Sequence, residues 1–226
     1  MIRIFVGYDE NETVAFHVLS HSLMRNSSEP IEIIPVVKGQ LKKFYNRERS
    51  SIESTEFSFT RFLVPYLSRF TGWSLFMDCD MLCIADIAEL WNLQREKYAV
   101  MCVKHDYEPI AGLKFLDQVQ TKYEKKNWSS VMLFNNESCS SLTPNVVESE
   151  TGLYLHQFKW LSSDSQIGSL PPEWNYLVGE PMSSEVVPKL IHFTLGGPYF
   201  AEYANCEYAD LWRDEYDRMT YSSKRK

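Results

Sequence analysis

The chain alternates between short apolar segments typical of buried strands and longer segments whose apolar residues recur at helical spacing. Strands are predicted at residues 2–7, 31–37, 74–77, 98–103, 131–134 and 190–194. Helices are predicted at residues 11–24, 57–70, 84–93 and 146–160, and a further helical stripe follows Cys206. The polar stretch at residues 38–56 is predicted to be a loop. This alternation predicts an α/β fold with a mainly parallel central sheet flanked by helices.

The composition is that of a folded globular protein, because 44% of the 226 residues are hydrophobic and 23% are charged. The longest apolar runs reach about a third of the ~20 residues that a membrane helix needs. The first residues have the pattern of a strand and lack the apolar core of a secretory signal. We therefore expect a single domain without a transmembrane segment, located in the cytoplasm.

The charge balance limits the ligands that this chain is expected to bind. A net charge of −7 excludes a sequence-independent nucleic-acid binder, which needs an excess of Lys and Arg. An anionic ligand would have to be held by a few local cations or by a metal ion. The five cysteines contain no CxxC pair, which argues against a disulfide framework or structural zinc and favours reduced thiols.

The strongest local signal is Asp78-Cys79-Asp80, directly after the predicted strand at residues 74–77. Residues i and i+2 of an extended segment face the same side, so the two carboxylates can converge on one point. Open α/β sheets bind ligands at the carboxyl ends of their strands, where this pair is expected. Carboxylate oxygens favour Mg²⁺ or Mn²⁺, ions that commonly hold substrate phosphates. An acidic turn without function is the alternative that the triplet alone leaves open.

The segment FMDCDMLCIADIAELW at residues 76–91 resembles the metal-binding segment of GT-A nucleotide-sugar glycosyltransferases, most closely that of family 8. In that family an apolar strand enters Asp-x-Asp, and a short apolar run and an Asp/Asn-Ile-x-Glu-Leu helix follow. Four more segments are similar to family segments and occur in family order: FVGYD at 5–9, FTRF at 59–62, SSVMLFN at 129–135 and IHFTLG at 191–196. The resemblance implies a GT-A (Rossmann-like) fold with the DxD motif at a strand end.

The resemblance also implies a function: transfer of a sugar from a UDP-sugar to an acceptor hydroxyl of a glycan, glycolipid or glycoprotein, with retention of configuration. It assigns metal binding to Asp78, Asp80 and His192, and we expect Mn²⁺, with Mg²⁺ as the alternative, because Mn²⁺ accepts mixed oxygen and nitrogen ligands. The implied donor-binding residues are Val6, Gly7, Tyr8, Asp9, Arg61, Asp78, Cys79, Asp80, Gly196 and Gly197. Residues 1–105 would form the nucleotide-binding half, residues 106–205 the acceptor half, and residues 206–226 a C-terminal helix and basic tail.

The remaining site residues carry over with departures from the family pattern. Acceptor binding is assigned to Ser129, Ser130 and Asn175, and catalysis to Asp164, with Gln166 as the alternative. The family's Asp-Gln pair is matched only by Asp-Ser-Gln at 164–166, which leaves inversion open. The family lysine is absent from GGPYF at 196–200, so Arg61 or Lys114 would supply charge near the diphosphate. We expect Arg61→Ala to weaken donor binding with little change in the stability of the free protein.

Two other functions remain open at this stage. In an aspartyl-phosphate phosphatase Asp78 would be the nucleophile and Asp80 the acid/base, but Leu82 departs from that family's Asp-x-Asp-x-Thr/Val motif. A non-catalytic module that binds nucleotide-sugars or glycans would keep the same ligand residues. The basic residues 224–226 beside a helix allow at most a peripheral membrane contact.

Overall fold

The computed structural model describes residues 1–48, 55–105 and 124–220. Its strands are β1 (Ile2–Gly7), β2 (Ile31–Val36), β3 (Trp73–Met77), β4 (Met81–Cys83), β5 (Val100–Val103), β6 (Val131–Asn135), β7 (Ile167–Leu170), β8 (Tyr176–Leu177) and β9 (Leu190–His192). Its α-helices are α1 (Thr13–Arg25), α2 (Val64–Leu67), α3 (Ile87–Trp91), α4 (Pro144–Ser149), α5 (Gly152–His156) and α6 (Ala209–Thr220). All six predicted strands are confirmed, with bounds that shift by at most two residues.

The main sheet has six strands in the order β2-β1-β3-β6-β5-β7. In this described sheet β6 is antiparallel to both of its neighbours, and the other strands all run in the opposite direction to it. The predicted α/β class with a mainly parallel sheet is therefore confirmed. Reversal of β6 places its first residues beside the last residues of β3, because Val131 pairs with Met77.

A smaller three-stranded sheet, in the order β4-β9-β8, lies beyond the end of β3. Strand β4 pairs antiparallel with β9, so that Met81 faces His192. Its apolar residues pack on α1 and α6 through a cluster that includes Val18, Leu82, Phe193 and Trp212. This cluster fixes the small sheet against the rest of the molecule. No helix within the described ranges has both the length and the apolarity to cross a membrane.

Two predicted helices differ from the structure. The helix predicted at 146–160 is two short helices, α4 and α5, because the Thr151 side chain caps α5 by accepting from Tyr154 N. The helix predicted at 57–70 is a 3₁₀ turn at Thr60–Leu63 followed by α2, which has Pro65 in its first turn. In the predicted loop at 38–56 a 3₁₀ turn forms at Lys38–Gln40, while residues 49–54 lie outside the described ranges, as does the tail at 221–226.

Candidate active site

A cavity of about 990 Å³ opens where β1 and β3 end and β6 begins. Many of the residues that line it are charged or polar. They include Asp9, Glu12, Arg47, Arg61, Asp78, Asp80, Lys125, Lys126, Ser129, Ser130, His156 and His192, and Gly196 also lines the cavity. Its position at the carboxyl ends of parallel strands is the usual position of a ligand site in an open α/β sheet.

Asp78, Asp80 and His192 converge at this cavity. Asp78 follows β3, Asp80 precedes β4 and His192 ends β9. The antiparallel β4–β9 pair is continued by a hydrogen bond of 2.9 Å from Phe193 N to Asp80 O. One ligand atom from each of the three side chains lies within 4.8 Å of the other two. The structure thus brings together the three residues predicted to hold a metal ion.

Two carboxylate oxygens of this group have no hydrogen-bond partner among the described residues. Both are buried: Asp78 Oδ1 and Asp80 Oδ1. Arg61 Nη1 lies 2.9 Å from Asp78 Oδ1, and His192 Nε2 lies 3.3 Å from Asp80 Oδ1, but neither contact has the direction of a hydrogen bond. Buried oxygens that have no donor in the described part of the chain, beside an imidazole nitrogen, fit a divalent cation.

The pKa values of Asp78 and His192 reflect the burial of two neighbouring carboxylates. Burial raises the pKa of Asp78 to about 6, and the favourable charge of Arg61 only partly opposes this shift. Burial by itself would lower the pKa of His192, but the Asp80 and Asp78 carboxylates outweigh it and raise that pKa. A divalent cation reverses both tendencies, because it binds the deprotonated carboxylate and the neutral imidazole.

Asn175 orients the histidine. Its Oδ1 lies 2.9 Å from His192 Nδ1, and its Nδ2 donates to Asn127 O at 3.2 Å. With Nδ1 donating to this amide oxygen, Nε2 of His192 faces the carboxylates as a free ligand atom. The predicted acceptor contact of Asn175 is therefore corrected: the residue is fully buried behind His192, outside the cavity lining.

Arg61 lines the cavity, but most of its guanidinium is used within the protein. Its Nη1 donates to Ser129 O at 2.9 Å, its Nε donates to Phe57 O at 3.3 Å, and its side chain is only 7% exposed. The guanidinium carbon lies 5.3 Å and 5.2 Å from the ring centroids of Phe57 and Phe76. The buried ion pair of Arg61 with Asp78 argues against the expectation that loss of Arg61 changes the stability of the free protein little.

Of the predicted donor residues around β1, Asp9 reaches the cavity. Val6 is buried in the sheet, the Phe57 ring packs against Gly7 with no room for a Cβ, and Tyr8 hydrogen-bonds Thr13. Asp9 accepts from Asn11 N at 2.9 Å and from Glu56 N at 3.0 Å, which fixes the turn after β1.

Near His192, Gly196 lines the cavity with a φ of +133°, which only glycine adopts without strain. The neighbouring Gly197 packs against Tyr199 and does not line the cavity. Cys79, another predicted donor residue, is buried, and its thiol donates to Glu12 Oε2 at 3.6 Å. Donor contacts from these residues stay predictions. Lys114, the other cation considered for the diphosphate, lies outside the described residues.

Asp164 and Gln166 are not brought to the metal-ligand group. Asp164 is 71% exposed and accepts from Lys125 Nζ at 2.7 Å, while Gln166 Oε1 accepts from the backbone and hydroxyl of Ser162. Neither lines the cavity. Both residues precede β7, and two strands, β6 and β5, lie between β7 and β3 in the sheet. A catalytic role for this pair stays a prediction from the resemblance alone.

Ser129 and Ser130, to which the resemblance assigns acceptor binding, line the cavity just before β6. Asp78 N donates to Ser130 O at 3.0 Å, which joins this segment to the metal-ligand group. Their contact with an acceptor stays a prediction.

Sequence reasoning missed Glu12 and His156, both of which line the cavity. Glu12 Oε1 accepts from Tyr199 OH at 2.9 Å, and burial together with Asp80 raises the pKa of Glu12 to about 7. Asp9, which caps the 3₁₀ turn that carries Glu12, was the available sequence signal. No local pattern marks His156, because the helix that carries it was predicted to continue beyond it.

Comparisons with known proteins agree with this geometry. The family model described as glycosyl transferase family 8 matches residues 5–141. Protein CDI of Arabidopsis thaliana is 47% identical over 232 residues, covering 99% of this chain and 89% of that protein.

The solved structures share the fold. The galactosyltransferase LgtC, in complex with donor and acceptor sugar analogs, superposes with a TM-score of 0.62 at 13% identity, covering 97% of this chain and 96% of that one. GlyE of Streptococcus pneumoniae gives a TM-score of 0.60 at 15% identity, covering 95% of this chain and 60% of GlyE. The bifunctional WbbM gives 0.65 at 16% identity, covering 95% of this chain, which spans about half (49%) of WbbM. The chain therefore belongs to glycosyl transferase family 8 and is a nucleotide-sugar glycosyltransferase with the GT-A fold.

Proposed function

We propose that this enzyme transfers a sugar from a UDP-sugar to a hydroxyl of a glycan, glycolipid or glycoprotein, with retention and with Mn²⁺ bound by Asp78, Asp80 and His192. One observation carries the proposal: two buried carboxylate oxygens, for which residues 1–48, 55–105 and 124–220 supply no hydrogen-bond donor, meet an imidazole nitrogen in a large cavity. Bound there, Mn²⁺ would neutralise the donor diphosphate and stabilise the charge that develops on the leaving UDP.

The chain's own residues prepare this site for an anionic donor. Asn175 fixes the His192 ring, and Arg61 holds the Asp78 carboxylate in place. The fixed turn around Asp9 borders the same cavity and would receive the nucleoside. A cavity of about 990 Å³ is large enough for a nucleotide-sugar.

We also propose that residues 1–105 form the nucleotide-binding half and residues 106–205 the acceptor half, since residues of both ranges, such as Asp9 and Ser130, line the same cavity. A cytoplasmic location is supported by the cysteines: all five are free thiols, as expected in a reducing compartment.

The proposal is tested by titrating UDP into the protein with Mn²⁺ and then with EDTA, by calorimetry. We expect binding with Mn²⁺, none in EDTA, and none for Asp80→Asn, because a neutral amide is a much weaker ligand than a carboxylate. Asp210→Asn, which removes a fully accessible acid on α6, is the matched control and should bind as wild type does. Equal UDP affinity in Mn²⁺ and EDTA would overturn the metal assignment.

A further inference from the structure

Ser129 and His156 form a hydrogen-bonded pair in the wall of the cavity. Ser129 Oγ lies 2.8 Å from His156 Nδ1, and both residues line the cavity. Ser129 lies in the 3₁₀ turn just before β6, whereas His156 is the last residue of α5. Two separate elements therefore place this pair beside the space where substrate would lie.

The surroundings of His156 decide which atom donates. The ring lies 6.0 Å from the Phe59 ring and 5.1 Å, edge-on, from the Phe62 ring. Burial, with the nearby Arg61 charge, lowers the pKa of His156 to about 3, so the imidazole is neutral at physiological pH. A contact of the ring with the Ser58 backbone opposes this shift. Because this contact favours a proton on the ring nitrogen that faces Ser58, we assign the one N–H of the neutral ring to Nε2.

The other ring nitrogen, Nδ1, is then an acceptor, and the Ser129 hydroxyl donates to it. Ser129 Oγ is left with lone pairs and no proton to offer. Among the described residues, no other side chain or backbone donor reaches this oxygen. A neutral imidazole with so low a pKa does not remove the hydroxyl proton, which argues against a serine nucleophile.

Ser129 is also tied to the metal-ligand group. Arg61 Nη1 lies 2.9 Å from Ser129 O and 2.9 Å from Asp78 Oδ1, so one guanidinium nitrogen contacts both residues. A sugar joined to a diphosphate at Asp78 and Asp80 would therefore lie near this segment, where Ser129 lines the cavity.

We infer that Ser129 Oγ accepts a hydrogen bond from a hydroxyl of the donor's sugar, and that His156 is a positioning residue that directs the Ser129 lone pairs into the cavity. This inference rests on the proposed UDP-sugar site. It makes the pair selective for a donor whose sugar carries a hydroxyl at this place, since an analogue without it leaves a buried acceptor unsatisfied.

The test compares the affinities of UDP and of UDP-glucose, UDP-galactose and UDP-xylose, all with Mn²⁺, across variants of the full chain. For the sugar donor that wild type binds best, Ser129→Ala and His156→Phe should each lose about threefold to tenfold in affinity. Their affinity for UDP should stay within about twofold of wild type, because UDP lacks the sugar. His156→Asn should recover most of the loss, since its amide oxygen can replace Nδ1 as acceptor.

The double variant Ser129→Ala/His156→Phe separates positioning from packing. If His156 acts through Ser129, the double variant should bind the sugar donor no more weakly than Ser129→Ala. Ser68→Ala is the control, because it removes a buried serine hydrogen bond to Ser74 in the core. It should lower thermal stability without changing the ratio of the two affinities.

Unchanged donor affinity in Ser129→Ala would overturn the inference, as would an equal loss for UDP or additive losses in the double variant. Failure of wild type to bind UDP with Mn²⁺ would instead overturn the proposed function, so the two failures are distinguishable.

Discussion

Replacement of Arg61 by methionine is expected to destabilise the metal-free protein strongly. The Arg61 side chain is 7% exposed and its partner Asp78 is 11% exposed, so the pair is almost entirely removed from water. Methionine fills a similar volume but leaves the Asp78 carboxylate buried without a counter-charge. Breaking one side of a buried pair costs about 3–5 kcal/mol. For a chain of this length the melting temperature should fall by roughly 6–20 °C.

The size of this loss should depend on pH and on Asp78. Burial raises the pKa of Asp78 to about 6 even though the charge of Arg61 lowers it. Without Arg61 the pKa of Asp78 therefore rises further. At pH 5 the carboxyl is then protonated and its burial costs little, whereas at pH 8 its ionised form is penalised. The deficit relative to wild type should therefore be larger at pH 8. Arg61→Met/Asp78→Asn, which leaves no unpaired charge, should recover much of the stability.

The assay is thermal unfolding in EDTA, followed by near-ultraviolet circular dichroism at pH 5 and pH 8. Arg95→Met, which removes an exposed arginine that donates to the Gln94 carbonyl, is the matched control. It should melt within about 2 °C of wild type. The reasoning is refuted if Arg61→Met also melts within about 2 °C of wild type, or if the double variant loses the sum of the two single losses.

The metal-free protein should lose stability as pH rises through about 6, because the pKa values of Asp78 and His192 are raised on folding. Mn²⁺ should therefore raise the melting temperature more at pH 8 than at pH 5.5, and a response independent of pH would contradict this. Asn175→Leu should weaken Mn²⁺ affinity about 10–100-fold by releasing the His192 ring; unchanged affinity in a metal titration would exclude this role. With Mn²⁺, UDP should raise the melting temperature more than GDP or ADP at equal concentration, and a larger effect of GDP would refute the uridine preference.

Local pattern was sufficient to predict the main sheet and the acidic pair. Strand β3 ends in the buried apolar residues Leu75, Phe76 and Met77 and runs directly into the Asp-Cys-Asp triplet, a contrast that indicates both a strand end and a ligand site. The position of His192 depended on resemblance, because no spacing rule links it to Asp78. The structure explains the link through pairing of β4 with β9.

Contacts between distant segments are the part that the sequence could not predict. Asn175 reaches His192 only because β8 and β9 are neighbours, and a two-residue strand leaves almost no periodicity to detect. Burial of Arg61 depends on the rings of Phe57 and Phe76 and on the Ser129 carbonyl. The breaks in the two long predicted helices arise from Pro65 and from the Thr151 cap, which compete locally with an otherwise helical pattern.

The long-range pairing of β4 with β9 has a consequence for the order of folding. Strands β1 and β2 are joined through the single α-helix α1, whereas β4 and β9 are separated by nearly half of the chain. Closing the larger loop costs more entropy, and contacts distant in sequence form late. We therefore expect the side chain of His192 to meet Asp80 late in folding, after the ribosome has released most of the polypeptide and the three proposed metal ligands can come together. Mn²⁺ would then stabilise the finished enzyme without guiding its early folding.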